Sequence, residues 1–76
     1  MHDKIFLKNV SDLFHKKKYN EVVSEIDKND HLLKNYPDLF NIRGVSKIIR
    51  LNKSKDDIIL ALKDFKNYYL YSKDNV

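Results

Sequence analysis

The chain has no cysteine, and proline, glycine and alanine each occur once among its 76 residues. Without cysteine there is neither a disulfide framework nor a thiolate zinc site. One glycine cannot supply the turns of several β-hairpins, and no segment sustains an alternation of apolar and polar residues, so no strand candidate survives. Stability therefore has to come from helices around a thin core, because a chain of this length buries only about 60–65% of its unfolded surface.

Long apolar runs are also missing. The longest are residues 5–7, 58–62 and 68–71, far shorter than the roughly 18 residues that a transmembrane helix needs. The chain does not open with the basic, apolar and small-residue regions of a secretory signal. We therefore expect a cytoplasmic location and no membrane partner.

The charge balance is moderately basic, at +4 with histidine neutral. Lysine, asparagine, isoleucine and tyrosine are abundant, a composition that AT-rich codon usage alone would produce. Charges alternate in sign along most of the chain, and only Lys16 to Lys18 form an uninterrupted basic run. That run could contact phosphates if Tyr19 stacked on a base. A solubilising turn is the simpler interpretation, so nucleic-acid binding is the alternative function and not the first.

Apolar residues recur at a period near 3.6 over four segments, which predicts helices at residues 4–15, 20–35, 39–51 and 55–71. The stripes predicted to face the core are Phe6, Val10, Leu13 and Phe14 in the first helix, Val22, Val23, Ile26 and Leu33 in the second, with Tyr36 as a further candidate, and Ile58, Leu62, Phe65 and Tyr69 in the fourth. In the second helix, Asn29 and Asp30 interrupt the stripe.

Several residues mark the ends of these helices. Pro37 favours the start of the third helix and disfavours helix at the residue before it. Ser54 and Asp57 have the spacing of a capping box at the start of the fourth. The links are short, so neighbouring helices should pack antiparallel, as two helical hairpins in series. Gly44 lies within the third helix, where we expect it to let two helices approach closely.

The second and fourth helices resemble each other when they are offset by 36 residues. The matched residues are Glu21, Val22, Val23, Ile26, Leu32 and Leu33 on Asp57, Ile58, Ile59, Leu62, Tyr68 and Tyr69. A helical hairpin repeated at a period in the middle thirties is typical of an α-solenoid, in which each hairpin covers the next.

Three segments resemble the tetratricopeptide repeat family. Residues 17–23 (KKYNEVV) are similar to the family's turn into its second helix, residues 36–38 (YPD) to the end of one repeat, and residues 39–44 (LFNIRG) to the opening of the next. The resemblance implies one domain over residues 1–76, with repeats at about 4–36 and 37–72.

This resemblance implies a non-catalytic scaffold that binds a protein or peptide on the concave surface formed by the first helix of each repeat. Carried over by position, that surface comprises Lys4, Ser11 and His15 from one repeat and Asp38, Asn41 and Val45 from the next. The lysine and asparagine set with which the family clamps a C-terminal carboxylate is not found in the sequence, so binding of chaperone tails is not implied.

The aromatic run at residues 68–71 suggests a second surface, because its side chains point around most of a helix. In one interpretation Tyr68 and Tyr69 close the core and Tyr71 is partly exposed. In the other, Tyr69 and Tyr71 meet a partner, a second copy of the chain or adjoining repeats of a longer solenoid, since aromatic residues are enriched at interfaces. Two repeats are fewer than the three or so that a solenoid usually needs, which favours some such cover.

Catalytic and metal-binding patterns are weak. The serines at positions 11, 24, 46, 54 and 72 lack a nucleophile motif such as GxSxG. Asp27 and His31 are four residues apart and could both ligate a metal, helped by Asp30 or His15. The other ligands of a closed site cannot be named, so an exposed polar pair is the simpler interpretation. We predict no catalytic residues, no metal site and no cofactor.

Overall fold

Four α-helices make up the fold in the computed structural model, which describes residues 2–50 and 54–73. They are α1 (His2–His15), α2 (Tyr19–Lys28), α3 (Asp38–Ile49) and α4 (Lys55–Lys73), and a 3₁₀ turn (Asp30–Leu32) follows α2. Each helix packs against the next along the chain. No strand occurs in the two described ranges, so the prediction of an all-α, four-helix fold is confirmed.

Helix α2 ends earlier than predicted, at Lys28 instead of residue 35. Asn29 leaves the helical conformation, and its side-chain Nδ2 donates to the carbonyl oxygen of Glu25 at 3.0 Å. A short polar side chain that bonds the nearby backbone competes with the helical hydrogen-bond pattern. The chain then turns through the 3₁₀ segment, and Leu32 and Leu33 remain buried.

The link between α1 and α2 is a tight turn in which Lys17 adopts a left-handed conformation, with φ 62°. Lys18 N donates to Leu13 O at 2.9 Å and Lys17 N donates to Phe14 O at 3.0 Å. These are the two hydrogen bonds of a Schellman motif, whose left-handed position is usually occupied by glycine. Lys17 is therefore strained where glycine would not be.

Ser54 and Asp57 form the predicted capping box at the start of α4. Ser54 N donates to Asp57 Oδ2 at 2.9 Å, and Asp57 N donates to Ser54 Oγ at 3.3 Å. The Asp57 carboxylate also accepts a hydrogen bond from Arg50 Nη2. The backbone hydrogen bond from Ser54 and then the hydrogen bond from Arg50 lower the pKa of Asp57 below its ordinary value.

Buried apolar side chains from α1, α2, the turn after α2 and α3 form one core. They are Val10, Val22, Ile26, Leu32, Leu33, Leu39 and Phe40. Phe6, Leu13 and Phe14 pack against this core while staying partly exposed. The predicted inward stripes of the first and second helices are thus confirmed.

The two arginines of the chain lie seven residues apart, Arg43 within α3 and Arg50 directly after its last residue, and each of them contacts both α2 and α4. Arg43 holds Asp64 through Nη2 to Oδ1 at 2.7 Å and Nε to Oδ2 at 3.0 Å, and its Nη1 reaches Asp27 at 2.9 Å. Arg50 holds Asp57, and its Nη1 lies 3.4 Å from Asn20 Oδ1. Burial disfavours the charge of Arg43, but the hydrogen bond and the charge of Asp64 outweigh it and raise the pKa of the guanidinium.

Helix α4 turns a different side inward from the one predicted. Its predicted core stripe is Ile58, Leu62, Phe65 and Tyr69, but Ile58, Leu62 and Tyr69 are 43%, 61% and 65% exposed. Phe65 alone of the four is partly buried. The prediction is therefore wrong for three of its four residues.

Asp57, Ala61 and Asp64 define the inward side of α4, and all three are buried. Asp64 binds Arg43 of α3, Asp57 binds Arg50 just after α3, and Ala61 is small enough for α4 to lie close to its neighbour. A Cβ atom on Gly44 would be 2.7 Å from Cε1 of Phe65, so the close approach predicted at Gly44 is confirmed. Apolar residues lie on most sides of α4, so the period of its apolar residues alone could not indicate which side faces the core.

Candidate functional site

Helix α4 presents an apolar face to solvent, which we call the outer face. It consists of Ile58, Ile59, Leu62, Tyr69 and Leu70, which are between 43% and 65% exposed. The face extends over about 18 Å at 1.5 Å per residue. Single exposed apolar residues are ordinary, but a contiguous set along one helix is typical of an interaction surface.

Three exposed lysines, Lys55, Lys63 and Lys66, lie among these apolar residues. Each is three or four positions from a member of the outer face, so it is a neighbour on the helix surface. The acidic residues Asp57 and Asp64 are turned inward and paired with arginines. Asp56 is the one exposed carboxylate among the described residues of α4, so lysines outnumber acidic side chains on its solvent side, which is apolar and mainly basic.

The structure also shows how α4 corresponds to α2. Val22 and Ile26 are fully buried in α2, and the buried residues that match them in α4 are Asp57 and Ala61. Pairing these buried positions gives an offset of 35 residues (22 to 57 and 26 to 61), which we call the structural offset, against the 36 that sequence similarity suggests. This one-residue shift rotates the apolar stripe of α4 away from the core.

At that offset, the side of α2 that meets α3 corresponds to part of the outer face. The matching positions are Asn20 with Lys55, Val23 with Ile58, and Asp27 with Leu62. On α2, Arg50 contacts Asn20, Arg43 contacts Asp27, and Val23 is only 5% exposed. On α4, the three corresponding residues are exposed.

The aromatic run divides between the core and the surface. Tyr71 is partly buried and stacks on Phe40, with ring centroids 5.6 Å apart and planes 10° apart, and Lys34 Nζ lies 5.8 Å from the Tyr71 centroid. Tyr68 is also partly buried against the core. Tyr69 is 65% exposed, so the interpretation that it closes the core is wrong, whereas Tyr71 contributes packing there.

The predicted concave residues of α1 lie at the surface. Lys4 and His15 are exposed and Ser11 is partly exposed. His15 Nδ1 lies 2.7 Å from the carbonyl oxygen of Ser11, so this ring nitrogen donates, and it is 3.4 Å from Ser11 Oγ. These two contacts do not place His15 as a general base beside a nucleophile, with a third side chain to orient it, as a catalytic triad requires.

The predicted residues of α3 follow one side of that helix, with Asp38 and Asn41 exposed and Val45 partly buried. Within residues 2–50 and 54–73, no hydrogen bond or ion pair joins them to Lys4, Ser11 or His15. A single concave surface formed by both sets stays a prediction.

A groove of about 540 Å³ lies beside Asp38 and was not predicted. Its walls include Leu7 of α1, Tyr36, Ile42 of α3 and Tyr68 of α4. Its volume is within the range of ligand pockets, about 300–1,000 Å³. Because four separate segments build it, no local pattern in the sequence indicated it.

One hydrogen bond ties the start of α1 to the wall of this groove. Tyr36 donates its hydroxyl to Asp3 Oδ2 at 3.1 Å. That hydrogen bond and then the negative charge of Asp3 raise the pKa of Tyr36.

The basic run at Lys16, Lys17 and Lys18 is exposed. Tyr19, which would have to stack on a base in a nucleic-acid complex, instead packs edge-on against Phe14, with ring centroids 5.8 Å apart and planes at 73°. The run is therefore a charged turn without an exposed aromatic platform at Tyr19.

Asp27 and His31 do not share a helix, because α2 ends at Lys28, and Asp27 binds Arg43. The described part of the chain contains no group of three or more metal-binding side chains close enough to hold an ion. Over the same residues, no helix has the length and apolar character that crossing a bilayer requires.

Comparison of the chain with protein-family models, with curated proteins and with solved structures found no match. The resemblance to tetratricopeptide repeats stays a prediction from residues 17–23, 36–38 and 39–44. Any functional conclusion therefore has to come from the surfaces themselves.

Proposed function

We propose that the chain is a non-catalytic protein-binding module of two tetratricopeptide-like hairpins, and that the outer face of α4 docks a helical segment of another protein. The observation that carries the proposal is the exposure of this apolar face along α4. Fully burying one Ile or Leu side chain contributes about 1.5–3 kcal/mol. A helix laid along the outer face would gain that contribution at several positions.

The ion pairs of α3 support the hairpin arrangement. Arg43 meets Asp64 and Arg50, just after α3, meets Asp57, so the order of the paired residues is reversed between α3 and α4. The same order holds toward α2, where Arg43 meets Asp27 and Arg50 meets Asn20. Neighbouring helices that run in opposite directions are what a tandem of helical hairpins requires.

Site-specific photo-crosslinking tests the proposal, with Leu62 and Ile5 as matched positions. Leu62 on the outer face is 61% exposed, and Ile5 on α1 is 62% exposed. A photoreactive amino acid at each position in turn, in the native cells, would report which proteins lie within a few ångströms. We expect a defined protein adduct from position 62 and none from position 5.

The crosslinked protein would then be purified and titrated by calorimetry. The double variant Ile58→Ser with Leu62→Ser should lose at least about tenfold in affinity, because each substitution removes an apolar contact of more than 1 kcal/mol. The matched control Ile5→Ser should bind as the parent chain does. No adduct at position 62, the same adducts at both positions, or full affinity in the double variant would overturn the proposal.

A further inference from the structure

We infer that the segment docked on the outer face is an amphipathic helix whose apolar stripe is flanked by aspartate or glutamate. This inference rests on the proposed function and specifies its partner by charge. Lys55, Lys63 and Lys66 are exposed among the apolar residues of the face. A docked helix therefore brings its flanking side chains next to ammonium groups, and carboxylates are the complementary choice.

The interface between α2 and α3 gives an internal comparison. There α3 carries Arg43, the residue directly after it is Arg50, and α2 receives the two arginines with Asp27 and Asn20. At the structural offset, α4 has Leu62 in place of Asp27 and Lys55 in place of Asn20.

A helix with the charges of α3, docked on α4, would therefore place the guanidinium equivalent to Arg43 against Leu62 and the one equivalent to Arg50 against the ammonium group of Lys55. The helix that fits α4 needs an apolar residue opposite Leu62 and an acidic residue opposite Lys55.

The same charges disfavour a second copy of this chain as the occupant. Two α4 helices facing each other would bring three exposed lysines from each copy to one interface, and each chain already carries a net charge of +4. Asp57 and Asp64 cannot offset this repulsion, because both are buried and engaged by arginines, and the exposed Asp56 can offset only one of the three lysines. Charge complementarity thus selects a different, acidic helix.

Three synthetic helical peptides test the inference. They share one leucine stripe at i, i+4, i+7 and i+11 and differ only in their flanking residues, which are all Glu, all Gln or all Lys. Fluorescence anisotropy of labelled peptides would give their dissociation constants. At low ionic strength the Glu peptide should bind on the order of tenfold more tightly than the Gln peptide, a few-fold for each exposed lysine, and the Lys peptide should bind most weakly.

Two controls separate charge from apolar contact. In about 1 M salt, where the Debye length is about 3 Å, the preference for the Glu peptide should largely disappear. The variant Lys63→Glu with Lys66→Glu should reverse the order of the Glu and Lys peptides. Circular dichroism would check its fold, which we expect to be unchanged because both lysines are exposed.

Each other outcome overturns the inference. If all three peptides bind equally and the double variant Ile58→Ser with Leu62→Ser binds none of them, the outer face is a docking surface but its partner is not acidic. Light scattering that shows a dimer abolished by the same variant would identify the occupant as a second copy. If none of the peptides binds, the acidic helix is refuted, and the photo-crosslinking result decides the proposed function separately.

Discussion

Arg43 binds two aspartates at similar distances, and we expect their removal to have very different effects on stability. Its Nη2 lies 2.7 Å from Asp64 and its Nη1 lies 2.9 Å from Asp27, but the side chain of Asp64 is 4% exposed and that of Asp27 is 55% exposed. Lys47 Nζ, itself buried, is 3.6 Å from Asp64. The variant Asp64→Ala therefore removes the buried carboxylate that Arg43 and Lys47 share, and leaves Arg43 with the exposed Asp27.

Breaking a buried pair by removing one partner costs about 3–5 kcal/mol. Asp27→Ala removes an exposed contact, for which about 0–1 kcal/mol is usual. A chain of this size has a free energy of unfolding of about 4–11 kcal/mol, so Asp64→Ala should remove a large part of it. Urea unfolding followed by circular dichroism would measure both variants, with similar slopes if the unfolded surface is unchanged.

A double variant checks the reason for the difference. Replacing a buried pair by apolar residues of similar volume is often nearly neutral, so Arg43→Met with Asp64→Leu should be more stable than Asp64→Ala. A loss of free energy for Asp64→Ala within about 1 kcal/mol of that for Asp27→Ala would refute the reasoning.

Three further predictions concern α4 and the links. Gly44→Ala should destabilise the fold by about 1 kcal/mol, because overpacking against Phe65, at about 1–3 kcal/mol, exceeds the gain in helix propensity of about 1 kcal/mol. Adding Phe65→Leu to this variant should relieve the overpacking. A Gly44→Ala variant more stable than the parent chain would contradict the close approach. Lys17→Gly should stabilise by about 0.5–1 kcal/mol by removing left-handed strain, whereas Lys17→Ala should not; equal urea midpoints for the two variants would argue against it. Because the pKa of Asp57 is lowered by Ser54 and Arg50, its contribution to stability is present above its unfolded pKa of about 3.9 and is lost as the pH falls through the lower folded value. Asp57→Asn should lack that part of the acid dependence of the urea midpoint, and unchanged curves would contradict the assignment.

The first two helices could be predicted from sequence because each has one apolar side. Val10, Val22 and Ile26 are all fully buried or nearly so, as their spacing requires. The early end of α2 was visible only as the interruption at Asn29 and Asp30, since residues 32 and 33 continue the apolar pattern. The hydrogen bond from the Asn29 side chain to the nearby backbone favours the end of α2 at this point over a longer helix.

The orientation of α4 depended on contacts distant in sequence. Apolar residues lie on most of its sides, so the choice was made by Asp57 and Asp64 pairing with Arg50 and Arg43. One signal for this was present, because the two arginines and the two aspartates are each seven residues apart on successive helices. Of the residues of the outer face, only Tyr69 was therefore predicted to be a surface for a partner. The groove beside Asp38 was not predicted at all.

Photo-crosslinking from position 62 against position 5 tests the central claim most directly, because the two apolar side chains are similarly exposed, at 61% and 62%, and lie on different helices. The account predicts one defined protein adduct, confined to position 62 and abolished when the neighbouring Ile58 is replaced by serine. Identical adduct patterns from the two positions would contradict the claim that the outer face of α4 is a docking surface.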